Sequence, residues 1–367
     1  MFMQSIPSYF KDVQDFRVIN RCAHDLGDIL GLVLVGIQAD CDDFSEISDY
    51  GKHNIDFLRR ELGFSFINGV PSEDTIERVL KRLNTKELAT AYKAFLGDIS
   101  LAGKHISIDG KELRSTIATG SKHALVRMVN VWVHEDGLSF GQYEVDKKSN
   151  EITAIPALLD SIDCKGAVVT IDAMGCQKAI ASKIRERGGD YVLAVKKNQG
   201  GLYAQIEQEM RLESAHLSSY TQESQQHGRY EMRKITISHQ LKWIEDAMLW
   251  KDLKSVIMVE RTRRVAGVET TSKVFYISSF ADVSQENMLG YIRNHWGIEN
   301  HLHWQLDVTF GEDSAKLRHE TAMVNLHQIR KWALLMLKRL PQKMSIKRKR
   351  KMIARDNSIL IQLLELN

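Results

Sequence analysis

Cysteine is scarce in this sequence of 367 residues, and its distribution argues against two structural classes. The four cysteines lie far apart and form no C-x-x-C pair; they are Cys22, Cys41, Cys164 and Cys176. The spacing therefore predicts neither a disulfide framework nor a zinc ribbon, and it suits a reducing cytosol.

The sequence also has no long hydrophobic run and no basic, apolar leader at its amino terminus. The apolar stretch Ile29–Ile37 is too short to span a bilayer and lies close to Asp25, Asp28 and Asp40. Internal repeats and long low-complexity tracts are absent as well. We therefore expect a cytoplasmic protein with no export signal and no membrane segment.

The net charge is small, but it is unevenly placed. The formal value is +3, with 43% hydrophobic and 26% charged residues, as in ordinary globular proteins of roughly two domains. One stretch near the carboxyl terminus carries basic residues with no acid among them: Lys338, Arg339, Lys343, Lys347, Arg348, Lys349, Arg350, Lys351 and Arg355. Such a run favours phosphate binding, although a solvated basic tail has the same composition.

Two predicted strands end in aspartate. In His105–Gly110, Ile106 and Ile108 alternate with polar residues up to Asp109, the pattern of a strand with one apolar face. An ionised carboxylate in a sheet is costly unless it is paired or bound to a metal. Taken alone, Asp109 could simply end its strand.

A second strand changes that interpretation. The apolar run Ala167–Asp172 has the length of a buried parallel strand and also ends in aspartate. The predicted order of elements, βββαβαβ, gives a mixed sheet in which the first and fourth strands can be neighbours. Asp109 and Asp172 are therefore expected to share one site.

Hydrophobic periodicity divides the chain into five segments. Residues 1–100 predict a small all-helical domain, with Ser72 as one N-cap. Residues 101–200 predict the first part of an α/β core, including a hairpin of strands 124–134 and 138–146. Residues 201–284 predict a β-rich insertion, residues 285–335 the final core helices, and residues 336–367 a basic tail.

The final core segment is predicted to begin with one continuous helix over residues 285–307. On a helical wheel of about 100° per residue, Glu299 falls within the apolar arc that faces the sheet. Asp307 lies at the margin of that arc, and Glu312 and Asp313 lie in a loop. An inward glutamate predicts either a metal ligand or a buried ion pair, with Arg293 or Arg330 as the partner.

Two strand aspartates and a helix glutamate offer the oxygen ligands that Mg²⁺ and Mn²⁺ prefer. Two such ions about 3.5–4 Å apart can activate an attacking oxygen and stabilise a leaving one in phosphoryl transfer. Zinc is the alternative because His295, His301 and His303 lie near Glu299. His301 and His303 are two residues apart and should lie on different helix faces, and no cysteine is near, so zinc is disfavoured.

Several longer motifs carry a resemblance to a known family. They are Asp109-Gly-Lys-Glu-Leu-Arg114, Lys148-Ser-Asn-Glu151-Ile, Thr170-Ile-Asp172-Ala-Met-Gly-Cys-Gln177, Tyr191-Val-Leu-Ala-Val-Lys-Lys-Asn-Gln199 and His295-Trp-Gly-Ile-Glu299-Asn-His-Leu-His-Trp304, with the sequence running on to Asp313. Together they resemble the H-repeat-associated family of bacterial DDE transposases, and the resemblance covers essentially the whole chain.

The resemblance implies a ribonuclease-H-like core with a β insertion, and Asp109, Asp172 and Glu299 as catalytic ligands of two Mg²⁺ or Mn²⁺ ions. It also implies double-stranded DNA as the partner and a homodimer assembled on that DNA. One departure is clear: His295 stands where related transposases have arginine, and Leu306 where they have lysine. Their DNA-end contacts therefore do not transfer to these positions.

Candidate DNA contacts are Lys196, Lys197, Asn198, Arg293, His295, Lys347, Arg348, Lys349 and Arg350. The loop 196–199 could equally be an exposed charged loop. Trp132, Trp296 and Trp304 are predicted to be core residues rather than platforms for bases.

The sequence supports two functions of different classes. The first is a transposase that cleaves DNA at insertion-sequence ends and joins the freed 3′-hydroxyl to target DNA. The second is a DNA-binding remnant without turnover, and a ribonuclease-H-like nuclease of another kind is a more distant third. All three acids are present, which favours the enzyme.

Overall fold

The computed structural model describes residues 5–113, 126–145, 151–226, 228–315 and 317–366. The amino-terminal part is helical, as predicted, and comprises α1 (Leu26–Gln38), α2 (Phe44–His53), α3 (Ile55–Leu62), α4 (Glu73–Arg82) and α5 (Thr85–Leu96). Helix α1 is buried along nearly its whole length and lies at the centre of this layer. Ser72 stands in extended backbone directly before α4, as expected for its N-cap.

The core sheet follows the predicted order of elements. It contains β1 (His105–Leu113), β2 (Val126–Val133), β3 (Leu138–Val145), β4 (Val168–Ile171) and β5 (Asp190–Val195), with α6 (Glu151–Asp160) and α7 (Lys178–Glu186) as the crossovers. Strands β1, β2 and β3 are antiparallel, whereas β4 lies parallel to both β1 and β5. The predicted neighbourhood of the first and fourth strands is thus confirmed.

The register of β1 and β4 determines where the two aspartates lie. Ile108 is paired with Ile171 at the end of the parallel ladder. The next residues, Asp109 and Asp172, therefore lie side by side where the two strands part. Ser107 and Thr170, two residues earlier, are also paired and occupy the same face of the sheet.

Some predicted features lie outside the described residues. These are the ends of the hairpin at positions 124, 125 and 146, and the motif residues Arg114 and Lys148–Asn150. The described parts of the hairpin, β2 and β3, pair antiparallel as predicted.

The β-rich segment extends the core sheet. After α8 (Gly200–Leu212), it forms β6 (Ser219–Gln226), β7 (Arg229–Ser238), β8 (Ser255–Val265) and β9 (Val268–Ser278). Because β9 pairs with β5, the nine described strands make one sheet in the order β3-β2-β1-β4-β5-β9-β8-β7-β6. The polar stretch at β6 is not predicted as a strand, because an edge strand with little apolar alternation resembles a loop.

The prediction of one continuous helix over residues 285–307 is wrong. Helix α9 spans Gln285–Asn294, a turn follows, and the chain then forms π-helical turns at Glu299–His303 and Gln305–Thr309. Gly297 lies in this interruption, so close to β2 that an added Cβ would be 2.8 Å from Cε1 of His134. Wide π turns change which residues share a face, so the helical wheel fails here.

The carboxyl-terminal part joins the helical layer. Its helices are α10 (Glu320–Arg339), α11 (Ile346–Ile353) and α12 (Asn357–Glu365), and α10 is buried through most of its length. Asn325 of α10 donates to the carbonyl oxygens of Leu80 and Leu83 at 2.9 and 3.0 Å, which holds α10 on the end of α4. Among the described helices, none combines the length and hydrophobicity needed to cross a bilayer.

Candidate active site

Asp109 and Glu299 meet at the carboxyl end of the parallel strands. Nδ1 of His303 links them, lying 3.6 Å from Oδ2 of Asp109 and 3.1 Å from Oε2 of Glu299. One ligand atom from each of these three residues lies within 4.8 Å of the others, a spacing that a single metal ion could bridge. The structure thus brings together two of the three predicted acids and adds a histidine.

Asp172 lies beside this group, at the end of β4. Its Oδ1 accepts hydrogen bonds from the backbone N–H groups of Met174 at 3.0 Å and Gly175 at 3.4 Å, which fix the turn after the strand. Asn198 holds the same turn by donating to the carbonyl oxygen of Ala173 at 2.7 Å. Asn198, predicted to contact DNA, thus has a clear role in supporting the turn of Asp172.

The electrostatics of the site favour a bound cation. Burial raises the pKa of Asp109 to about 6; His303 opposes this shift, and the carboxylates of Asp172 and Glu151 add to it. Burial and the charge of Asp172 also raise the pKa of Glu151. Acids that resist ionisation together would be stabilised by a divalent ion among them.

Glu151 is a site residue that its sequence motif alone does not single out as a candidate. It begins α6, and a Cβ placed on Gly110 would overlap its carboxylate. Only glycine at position 110 lets the Glu151 side chain approach β1 this closely.

The donor set suits a divalent metal. Carboxylate oxygens from Asp109, Asp172 and Glu299 are the ligands that Mg²⁺ and Mn²⁺ prefer, whereas one imidazole suits Mn²⁺ better than Mg²⁺. His303 faces the acids, but His301 stacks on Trp132 with ring centroids 6.1 Å apart. The expectation that His301 and His303 face different ways is confirmed.

Glu299 does not face the core as the helical wheel predicted. Its side chain is 51% exposed, because the π-helical turn directs it into a cleft rather than towards the sheet. Of the two arginines considered as buried partners, Arg330 lies 3.6 Å from Glu312 and Arg293 donates to Gln222. An inward ion pair therefore does not describe this glutamate.

Asp307 and Glu312 have structural partners. Asp307 forms a salt bridge with Lys111 of β1, and Lys111 also lies 3.6 Å from Glu312. Glu312 is buried and contacts Nδ1 of His327 at 3.0 Å. These pairs account for both acids without a metal.

The acids open into a cleft of about 710 Å³. Of the predicted DNA contacts, Lys196, Arg293 and His295 line this cleft. The lining also includes Arg233 and Arg261, which the sequence does not single out because they lie on β7 and β8, far from the acids along the chain. Both contact the buried carboxylate of Glu231.

His295 contacts the sheet. Its Nδ1 lies 3.1 Å from Oγ1 of Thr170, and burial lowers its pKa to about 4 despite the charge of Asp172. His295 thus has a structural contact with β4, while it also lines the cleft and remains a predicted DNA contact.

The prediction of a basic tail is wrong, because the run 347–351 lies within helix α11. Lys349 is 5% exposed and donates to the carbonyl oxygens of Leu337 and Leu340 at the end of α10. Arg350 is 1% exposed and donates to backbone carbonyls, including that of Ile37 at 2.8 Å. Neither side chain is available to DNA.

Lys347 and Arg348 are exposed and remain predicted DNA contacts, as does exposed Lys197.

The prediction that three tryptophans are core residues is partly wrong. Trp132 is buried, but Trp296 and Trp304 are 66% and 49% exposed, because the interrupted helix turns them outward. Trp296 lines the cleft.

A mixed sheet that gathers acids at its strand ends, beside a cleft with basic side chains, is the arrangement expected of the DDE class of transposase folds. Comparison with known families agrees: residues 101–336 match the family model described as "Transposase DDE domain", and residues 8–96 match one described as "DDE_Tnp_1-associated". The chain belongs to the DDE transposase family, and its core is ribonuclease-H-like.

Curated relatives agree with this assignment. "Putative transposase YncI" of Escherichia coli O157:H7 is 35% identical over 96% of this chain and 93% of its own length. "H repeat-associated putative transposase YhhI" of Escherichia coli (strain K12) is 34% identical over 92% of this chain and 91% of its own. The predicted resemblance to H-repeat-associated transposases is thus confirmed.

One shorter relative is named as inactive. "Inactive transposase YbfQ" of Escherichia coli (strain K12) is 29% identical over 22% of this chain and 95% of its own length. Family membership alone therefore does not establish turnover.

Proposed function

We propose that this protein is an active transposase. It cleaves DNA strands at the ends of an insertion sequence and transfers the freed 3′-hydroxyl to target DNA. The observation that carries the proposal is the convergence of Asp109, Glu299 and His303 in a cleft that also holds basic side chains. A remnant that only binds DNA would not need this convergence.

In this proposal, Asp109 and Asp172 would jointly hold two Mg²⁺ or Mn²⁺ ions, and Glu299 would complete the ligand set. When bound, such ions activate the attacking oxygen and stabilise the leaving one. With its proton on Nδ1, His303 would donate to the Glu299 carboxylate and orient it; with Nδ1 unprotonated, the imidazole could instead bind the metal. The Asn198 contact keeps the turn that carries Asp172 in place.

The basic side chains of the cleft bind the phosphates of double-stranded DNA. Lys196 and Arg293 are exposed at its edge, and Arg233 and Arg261 stand further along the wall. Two copies of the chain assemble on two element ends, and the reaction takes place in the cytoplasm at the DNA.

The direct test of this function is strand cleavage. Purified protein is incubated with DNA that flanks its own gene and with Mg²⁺, and new 3′-hydroxyl ends are mapped at nucleotide resolution. Active protein gives specific nicks that EDTA abolishes and added zinc does not restore. DNA binding without any nicks, in Mg²⁺ and in Mn²⁺, would instead support the inactive remnant.

The cleft also predicts how DNA affinity depends on salt. Replacing Lys196 and Arg293 together by glutamine should make the log-log salt dependence shallower, by about 0.9 for each phosphate that is no longer neutralised. The matched control is Lys165→Gln with Lys254→Gln, two exposed lysines near the opposite ends of the parallel strands. The slope is measured by fluorescence anisotropy in EDTA.

An equal slope in the cleft variant, the control and the parent would exclude the cleft as the DNA path. Lys347→Gln with Arg348→Gln is a further arm of the same titration. A shallower slope there would extend the DNA surface to α11.

A further inference from the structure

A buried hydrogen-bond network lies directly behind the acids. Its centre is Thr170, which is 2% exposed. Oγ1 of Thr170 lies 2.9 Å from Nε2 of His105, 3.0 Å from Oγ of Ser107 and 3.1 Å from Nδ1 of His295. Ser107 in turn lies 2.7 Å from Nε2 of His134.

Each segment that carries an acid contributes one member to this network. Ser107 precedes Asp109 by two residues on β1, and Thr170 precedes Asp172 by two, so each shares a strand face with its acid. His295 precedes Glu299 by four residues, about one helical turn. The Thr170 hydroxyl therefore joins the three acid-bearing segments at a single atom.

The Thr170 hydroxyl can satisfy its contacts with His105, Ser107 and His295 at the same time. A hydroxyl accepts two hydrogen bonds and donates one. In one assignment of the hydrogens, His105 Nε2–H and His295 Nδ1–H donate to Thr170, Thr170 donates to Ser107, and Ser107 donates to His134 Nε2; the carbonyl oxygen of Ile106, 3.3 Å from Oγ1 of Thr170, is an alternative acceptor for the Thr170 hydroxyl. This assignment leaves His105 Nδ1 as a bare acceptor, in agreement with its lack of a hydrogen-bond partner.

The network adds no charge beneath the acids. Burial lowers the pKa of His105 to about 2 and that of His134 and His295 to about 4. All three imidazoles are therefore neutral near pH 7 and act only through hydrogen bonds. Gly297, against His134, brings the turn before Glu299 onto the same network.

We propose that Thr170 is a positioning residue whose hydroxyl fixes the Glu299 segment relative to Asp109 and Asp172, so that the acids present one preformed site to divalent metal. The inference rests on the proposed function, because it concerns the same metal site. Thr170 lines the base of the cleft, but its hydroxyl contacts His105, Ser107 and His295. It acts by holding His295, and thereby the turn that leads to Glu299, against β1 and β4.

The test removes this hydroxyl without changing the shape of the side chain. Thr170→Val keeps the branched shape, whereas Thr170→Ser keeps the hydroxyl. Loss of a hydrogen bond that orients metal ligands typically weakens metal affinity by about 10–100-fold. We expect such a loss of Mn²⁺ affinity in Thr170→Val, measured by calorimetry without DNA, and restoration to within a few-fold in Thr170→Ser.

Two controls separate positioning from general damage. Thr236→Val makes the same change at a buried threonine of β7, outside the residues that line the cleft, and should leave Mn²⁺ affinity unchanged. DNA affinity in EDTA should stay within a few-fold of the parent in Thr170→Val. Thermal unfolding in EDTA confirms that each variant is folded at the temperature of the titration.

A second pair of variants, at His295, tests the same proposal if Thr170→Val does not fold. His295→Leu removes the donor to Thr170, and His295→Asn places an amide near the position of Nδ1. Weak Mn²⁺ binding in the leucine variant and recovery in the asparagine variant would support the same conclusion. Equal loss in both would overturn it.

The outcomes also distinguish this inference from the proposed function. Parental Mn²⁺ affinity in Thr170→Val, with cleavage by the parent intact, overturns the inference and leaves the transposase proposal standing. Equal loss in Thr170→Val and Thr170→Ser also overturns the inference, because packing would then explain the effect. A parent that binds no Mn²⁺ and cleaves no DNA overturns both.

Discussion

Asp109→Asn is expected to lower the rate of strand cleavage about a thousand-fold while leaving DNA affinity within a few-fold of the parent. The carboxylate lies 3.6 Å from His303 among the candidate metal ligands. Metal stabilisation of transition-state charge is worth several kcal/mol, and a loss of about 4 kcal/mol corresponds to that factor. Single-turnover cleavage in Mg²⁺ and in Mn²⁺ measures the effect, and Asp172→Asn should behave alike.

The control for this substitution is Asp98→Asn, at an exposed aspartate between the helical layer and β1. It should cleave as the parent does. Undiminished cleavage by Asp109→Asn or Asp172→Asn would rule out the shared metal site. Reduced DNA binding in proportion to reduced cleavage would instead identify a binding defect.

The difference in unfolding free energy between the parent and Asp109→Asn should depend on pH in a defined direction. The folded protein holds the pKa of Asp109 at about 6, above its ordinary value of 3.8. The stability that the protonated acid contributes is therefore fully present below pH 3.8 and is lost as pH rises through about 6. In EDTA, the variant should be more stable than the parent above that range, and the two should converge below it.

Glu312→Gln is expected to destabilise the fold near neutral pH, whereas Asp109→Asn should stabilise the metal-free protein there. Glu312 is 3% exposed, lies 3.6 Å from the cations of both Lys111 and Arg330, and contacts Nδ1 of His327 at 3.0 Å. Removing one partner of a buried ion pair costs about 3–5 kcal/mol because the remaining charge is left uncompensated. Urea unfolding in EDTA measures this loss.

The pH dependence of Glu312 provides an internal check. Burial alone would raise its pKa, but His327, Arg330 and Lys111 together lower it to about 2 from an ordinary 4.5. Its contribution to stability is therefore complete above pH 4.5 and is lost as pH falls towards about 2. The difference in unfolding free energy between the parent and Glu312→Gln should therefore decrease as pH falls from 4.5 towards 2.

A surface substitution serves as the control for Glu312→Gln. Glu186→Gln changes an exposed glutamate of α7 and should shift the free energy of unfolding by no more than about 0.5 kcal/mol. A loss of similar size in Glu312→Gln would mean that the buried cluster contributes little to the fold.

Strand patterning was sufficient to predict that Asp109 and Asp172 lie side by side. Ile106 and Ile108 alternate with polar neighbours, and the rules for βαβ connections then bring β1 beside β4. These are local signals, so Asp109 and Asp172 could be paired from sequence. The edge strand β6 could not be predicted, since its residues carry no apolar alternation.

The rest of the site depends on tertiary contacts. The position of Glu299 follows from the interruption near Gly297, where the chain lies close to His134 of the loop after β2. The sequence named His303 only as one of three histidines near Glu299, and the structure shows which of them faces the acids. Arg233 and Arg261 reach the cleft because the β-rich segment continues the core sheet, and no local pattern encodes that pairing.

The basic run near the carboxyl terminus shows where composition misleads about burial. Composition predicts that Lys349 and Arg350 are solvated or bound to phosphate, because lysine and arginine are rarely buried. In the structure both donate to backbone carbonyls of neighbouring helices, and Arg350 also contacts Asp42 at 2.8 Å. Sequence reports the charge of such residues but not the carbonyl groups they meet.

The central claim is that Glu299, and not Asp307, completes the metal site with Asp109 and Asp172. The most direct test is a calorimetric Mn²⁺ titration of the parent, Glu299→Gln and Asp307→Asn in the absence of DNA. We predict strongly weakened Mn²⁺ binding in Glu299→Gln, with an unchanged denaturation midpoint in EDTA, and parental Mn²⁺ binding in Asp307→Asn. Parental binding in Glu299→Gln together with weakened binding in Asp307→Asn would contradict the claim.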